Sequence, residues 1–414
     1  MAATEQGVWD LQDVRDKQLQ SEWSYDGATQ LMTWGYNNTG NLGLNQGGPG
    51  NDKSSPTQLP GTWQTYWYSM TNSAASKNYD SGTGGYDLWT WGNNSAGILG
   101  LNDYSSWPNY QNTRSSPTQV GTDTNWAHVH GPGSGTILGV KTDGSLWTWG
   151  NQDYGRGGKN NQIAVSSPTQ VGTDTTWQAR DGMDNKITGG SADCLAIKTD
   201  GTLWIWGRNF FGSLGLNQGP PWNVGKSSPT QVGTDTNWQS VGHTSGYHHF
   251  CKKTDGTLWV WGYGQQGMNC QNNTNSYSSP RQVPGDWTGA YIEGSNYSGH
   301  AIKADGTLWS WGGGPSANGT TGLNNMVQYS SPVQVGTDTN WGPANVAHQQ
   351  TSLSAGGGYV MARKTDGTLW VWGRGNYGRT GLNTTINYSS PVQIPGDWSG
   401  CFAGSDKGAA TMTL

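Results

Sequence analysis

The stretch K-T-D-G-T-L-W-V-W-G at residues 364–373 returns with small changes at 141–150, 198–207, 253–262 and 303–312. Weaker copies close at Gly92 and Gly35, which makes seven units. Their final tryptophans, Trp34, Trp91, Trp149, Trp206, Trp261, Trp311 and Trp372, are spaced by 57, 58, 57, 55, 50 and 61 residues. A period of this length marks a propeller or a related array. Asp-Gly followed by alternating apolar residues is a hairpin signal, read here as a type I′ turn with both central residues at positive φ. Beyond it, Leu203, Trp204, Ile205 and Trp206 alternate across a pleat with both sides apolar. Such a strand suits a blade pressed between two others.

The two ends of the chain complete one another. The first unit (Asp26 to Gly35) has no strand before it, and the last residues, from Trp398 to Leu414, supply strands with no decad after them. Joined, they form one unit, and a ring closed this way has no free sheet edge. The fold class expected is all-β: a seven-bladed β-propeller of four-stranded antiparallel blades, the closing blade shared by N- and C-terminal strands. The propeller occupies residues 23–414. Residues 1–22 stand apart as an arm with 7 charged residues. Leu11, Val14 and Leu19 trace one face of a short helix there, which either caps the propeller or docks on another subunit.

Each decad leads into a segment of the form G-x-L-G-L-N. An S-S-P follows, its proline suited to the start of an edge strand, and then G-T-D-T-N-W or P-G-D-W. Of 25 tryptophans, 20 fall at repeat positions and are assigned to the core, where each buries an area worth a few kcal/mol at about 25 cal/mol per Å². Met32 takes the place of the missing one. Trp9, Trp23, Trp67, Trp107 and Trp222 escape the pattern. Trp107, with Tyr104 and Tyr110, and Trp222 sit in the longest inter-strand segments, either as partner contacts or as covers for their own loops. Tyr247, His248 and Tyr291, in variable segments after the G-T-D-T-N-W tryptophan, complete the candidate partner-binding set.

W-G-N-N-S-A-G-I-L-G at 91–100 and W-G-R-N-F-F-G-S-L-G at 206–215, each with its decad, resemble the regulator-of-chromosome-condensation repeat. The resemblance runs from Tyr25 to Leu414 and implies a seven-bladed propeller with shared closure. It leaves function open. The eponymous member is a guanine-nucleotide exchange factor on chromatin, and others inhibit β-lactamases or act as receptors and scaffolds. The near-identical Trp-rich units look like bacterial and phage versions, and G-V-W-D-L-Q-D-V-R-D-K-Q-L near the start resembles structural proteins of marine phages.

Charged residues make up only 12% of the chain, and its net charge of −5 argues against a nucleic-acid or anionic-membrane surface. No apolar run reaches a membrane span, and the first ten residues lack the apolar centre of a secretory signal, so a cytoplasmic product is expected. Cys194, Cys251, Cys270 and Cys401 show no paired spacing, and neither a disulfide framework nor a zinc site is expected. The seven histidines are read as polar loop residues without convergent spacing, and the aspartate of T-D-G as a turn former. No nucleophile or phosphate-binding motif appears. The reading is therefore a non-enzyme without cofactor or metal, bound to other protein subunits. The leading assignment is a phage virion component, decorating the capsid or associated with the tail or fibre, assembled in the host cytoplasm. The alternatives are a bacterial cytoplasmic binding or inhibitor protein acting through its loop face and, ranked third, a GTPase exchange factor.

Overall fold

The computed structural model describes residues 30–67, 72–104, 112–131, 135–182, 184–219, 224–242, 246–342 and 351–412. The arm at 1–22 lies outside them. Seven antiparallel sheets form a closed ring. Blades 1 to 6 follow in chain order, and blade 3 shows the pattern. Its innermost strand is Ile187–Gly189, followed outward by Asp193–Ile197, Leu203–Gly207 and Lys226–Gln231. Blade 7 is shared between the termini. Gly400–Ala403 and Lys407–Met412 form its inner half, Gln30–Gly35 and Lys53–Gln58 its outer half. The seam pairs continuously from Gln30 with Met412 to Gly35 with Lys407. Blade 2 also carries a short hairpin, Tyr79–Asp80 with Gly85–Tyr86, attached by Tyr86 opposite Trp126.

The decad turn is a hairpin, but not of type I′. The Lys198 N–H meets the Thr202 carbonyl, Gly201 donates to the Lys198 carbonyl at 2.9 Å, and only Gly201 has positive φ (76°). This is a three-residue loop, a type I turn closed by a left-handed glycine. Asp200 Oδ1 accepts the Thr202 amide (3.0 Å) and hydroxyl (2.6 Å), which holds the aspartate at negative φ. The S-S-P proline also differs from expectation. Gly207 pairs with Lys226 but Ile205 with Thr230, so Ser227, Ser228 and Pro229 occupy a bulge inside the rim strand. There the missing amide donor breaks no ladder bond.

The seven decad-closing indoles are fully buried, and the seven that open or precede the innermost strands are at most 4% exposed. The six in between (Trp89, Trp147, Trp204, Trp259, Trp309 and Trp370) are only half-buried, which corrects their assignment to the core. A lysine ammonium lies 4.0–4.6 Å from each of these ring centroids and is also the neighbour of a buried indole. A cation thus lies over each ring, while Trp89, Trp147, Trp204, Trp259 and Trp370 also pack against the hydrophobic core.

The closing indoles fasten blade to blade. Trp206 donates to the Arg156 carbonyl at 2.8 Å, Trp261 to Ser213 at 2.7 Å, Trp372 to Thr320 at 2.7 Å and Trp34 to Arg379 at 2.8 Å. Each bond spans one blade. Trp311 breaks the series with no acceptor, although its ring is fully buried.

Candidate functional site

Because every blade is a meander, its connections sort onto two faces. Turns between second and third strands, and links to the next blade, lie on one, the turn face. First-to-second and third-to-fourth connections lie on the other, the loop face.

The turn face is constant. Lys141, Lys253 and Lys364 are each clamped between two indoles and bonded to Asp123, Asp235 and Asp338 at 2.7, 2.8 and 2.8 Å. These lysine side chains are 8–11% exposed and their aspartates 53–54%, so the acids stand outermost. Lys198 bonds Asp174 in the same way and holds its carboxyl down at about 2.

The loop face varies, and its aromatic residues cluster. Phe210 stacks on Tyr247 at 5.1 Å, and Phe211 meets Tyr263 at 4.7 Å. The Arg208 guanidinium lies 4.3 Å from the Tyr154 ring centroid and 3.9 Å from that of Phe210. Tyr36 and Tyr377 form a second group at 5.0 Å. Tyr154, Phe211 and Tyr377 share one position, just before the first glycine of the segment after the decad, with φ of 60°, 53° and 61°. Ala96 and Gln266 hold the same place in blades 1 and 4. A left-handed backbone costs an ordinary side chain about 1 kcal/mol or more, and large aromatic residues held there, Tyr154 and Tyr377 nearly half exposed, mark a surface shaped for contact. The sequence shows this as an aromatic residue at a place where other units carry Thr39 or Ala96, a signal visible only once the turn conformation is known.

Tyr104, at 63% exposure, and half-buried Tyr247 lie on this face. Trp67 ends the innermost strand of blade 1. Trp9, Trp23, Trp107, Tyr110 and Trp222 lie outside the described residues. His248 and Tyr291 are corrections. Both open strands rather than loops, and they are 0% and 6% exposed. His248 packs against Phe250, and Tyr291 donates to Glu293 at 2.6 Å. Tyr291 and Glu293 line, with His128, His130, Arg180 and Ser354, a cavity of about 30 Å³ on the axis, the share of a single water. Burial pushes Glu293 up to about 8 and His130 down to about 3.

The other described histidines are buried strand residues too, which corrects their placement in loops. Among the described residues no three His, Cys, Asp or Glu gather as metal ligands. A rim groove of about 510 Å³ runs along the seam where Met32 replaces the half-buried indole, lined by Leu382, Ile394, Trp398 and Met412. The four cysteines are buried and free. No helix among the described residues is long and apolar enough to cross a membrane.

Residues 366–409 match the profile of the "Regulator of chromosome condensation (RCC1) repeat". The chain is 25% identical over 310 residues to the Ultraviolet-B receptor UVR8 of Arabidopsis thaliana, covering 74% of this chain and 65% of the receptor. It is 24% identical over 269 residues to the human E3 ubiquitin-protein ligase HERC2, covering 64% of this chain but 5% of the ligase. It therefore spans less than two thirds of either relative. Among solved structures, yeast RCC1 (Prp20) bound to Kap60 superposes with a TM-score of 0.76 at 16% identity, covering 95% of this chain and 92% of that one. Human WBSCR16 gives 0.73 at 18% identity, covering 93% and 99%.

Proposed function

From a seven-bladed propeller built of RCC1 repeats, with one constant face and one aromatic, variable face, we propose that this chain is a non-enzymatic interaction protein that binds other protein subunits through its loop face. The observation that carries this is the left-handed aromatic residue repeated at Tyr154, Phe211 and Tyr377, the first two in the Arg208 cluster and the third paired with Tyr36. Glycine at those positions would relieve backbone strain, so the rings are retained for what they touch. The conserved geometry of the turns leaves their aspartates as acceptors for neighbouring Thr and Ser groups rather than as acids or bases. Yeast RCC1, of the same architecture, is seen bound to Kap60, and the same yeast protein is described as binding Gsp1p and histones, which supports protein partners for such rings.

Within that reading we propose a phage virion component, a capsid decoration or a tail- or fibre-associated subunit assembled in the host cytoplasm. Its support is the resemblance of the N-terminal segment to marine phage structural proteins, together with the 7 charged residues among the first 22. Mass spectrometry of purified particles should find the chain in fixed proportion to the major structural protein, and its absence removes the virion assignment. Capture of one stoichiometric partner from uninfected host lysate would instead favour a bacterial binding or inhibitor protein. For the binding face, the double variant Tyr154→Gly/Phe211→Gly should keep or raise the melting temperature while weakening partner binding at least about tenfold, as for loss of aromatic anchors. Unchanged binding would move the site elsewhere.

A further inference from the structure

The two faces carry opposite charge. With each charged residue that is not buried assigned to the strand end it lies nearest, the loop face shows six Lys and Arg against four Asp, a net of +2. The turn face shows four Lys and Arg against fourteen Asp, a net of −10. Glu293 and Arg281 lie in mid-sheet and cancel. The arrangement of atoms strengthens the contrast. Turn-face lysines are folded inward under indoles with their aspartates outside, whereas loop-face Arg208 is half-buried on aromatic rings and Lys159 and Lys226 are also partly open to solvent.

We propose that copies of this chain stack head to tail, the basic aromatic loop face of one on the acidic turn face of the next. The partner is a second copy because the complement of each face is found on the same molecule. Two-fold pairing would set like charge against like, which electrostatics opposes, so the contact is heterologous and extends as a column or closes as a ring. Exposed charges are screened beyond about 8 Å at physiological ionic strength, so the stack should weaken steeply with salt. The proposal rests on the interaction reading of the loop face and names its partner.

The test is sedimentation velocity of the full-length chain across a salt series, with three arms. Wild type should form species larger than a monomer at low salt that dissociate as salt rises. Arg208→Glu/Arg374→Glu, which makes the loop face net negative, should weaken association at least about tenfold. Asp235→Arg/Asp338→Arg should do the same, and mixing the two variants should restore heterologous pairs. Carbodiimide cross-linking of a mixture of isotope-labelled and unlabelled chain should join Lys159 or Lys226 of one copy to turn-face aspartates of another. A monomer at every salt concentration, or intermolecular links within the loop face alone, overturns the stack. Incorporation into particles by a chain that stays monomeric overturns stacking and leaves the virion reading standing. Stacking by a chain absent from particles does the reverse.

Discussion

At the scale of single residues, the decisive contrast is between Gly215 and Cys270, which hold the same place in successive units. Gly215 has φ of 65°, and a Cβ there would stand 2.7 Å from Trp261 Nε1, whose proton goes to the Ser213 carbonyl. Cys270 keeps the left-handed conformation (φ 51°), and its thiol lies 3.7 Å from the Met268 carbonyl, the equivalent acceptor. The Trp311 indole is left without one. Moving the cysteine to the intact unit, Gly215→Cys, should cost about 2–3 kcal/mol, through a strained φ and a lost buried hydrogen bond. Cys270→Gly removes the same strain and frees Met268, against a loss of thiol packing and a looser unfolded chain, and should be neutral or stabilising by about 1 kcal/mol. Urea unfolding of both variants against wild type gives the comparison. A loss of about 2 kcal/mol or more from Cys270→Gly would show that the thiol, not the indole, governs this junction.

At the scale of the element, the T-D-G loop shows what a sequence discloses and what it withholds. Strand, hairpin and period were all legible, because Asp-Gly and the paired tryptophans recur at fixed offsets and repetition leaves one arrangement that satisfies every copy. The turn type was not, since it depends on Thr202 offering both amide and hydroxyl to Asp200. Nor was the half-exposure of Trp204, which is set by Lys198 reaching back to Asp174, 24 residues earlier in the chain. The histidines misled for a related reason. A polar residue in a variable segment reads as a loop until strand ends are known, and His300 is held inside its sheet by Ser298 and Ser310 hydroxyls at 2.8 and 3.1 Å. Two substitutions separate the parts of the turn. Asp200→Ala should cost about 1 kcal/mol for the lost acceptor. Gly201→Ala should cost about 3 kcal/mol or more, because its Cβ would stand 2.0 Å from the Thr236 carbonyl at a φ of 76°. Equal effects on the thermal midpoint would mean that the turn is fixed by something other than close approach to the link beneath it.

At the scale of the whole ring, stability is linked to pH through groups buried where blades meet and along the axis. Desolvation holds His130, His248 and His300 at about 3, below the ordinary value of 6.5. These imidazoles are neutral in the folded chain and protonate on unfolding, so their contribution is present above pH 6.5 and is lost as pH falls toward 3. Glu293 runs the other way. Held at about 8 against 4.5, it favours the fold at low pH, a contribution lost as pH rises through 8. Lys407, buried where blade 7 meets blade 1 with its ammonium on the Ser73 hydroxyl and held at about 7 against 10.5, regains its contribution as pH rises from 7 toward 10.5. Burial holds His128 well below its ordinary value too, so between pH 4.5 and 6.5 four histidines oppose one glutamate, and unfolding should take up about three protons net. The unfolding free energy should therefore climb by about 4 kcal/mol per pH unit across that interval. From pH 7 to 8 Glu293 and Lys407 offset each other and the curve should flatten. Guanidinium unfolding at half-unit pH steps tests this, and His300→Asn separates the groups by lowering the slope by about one proton while leaving the plateau above pH 7 in place. A flat profile from pH 4.5 to 6.5 would mean that these imidazoles are reached by water, and that the blades meet less tightly than their buried indoles require.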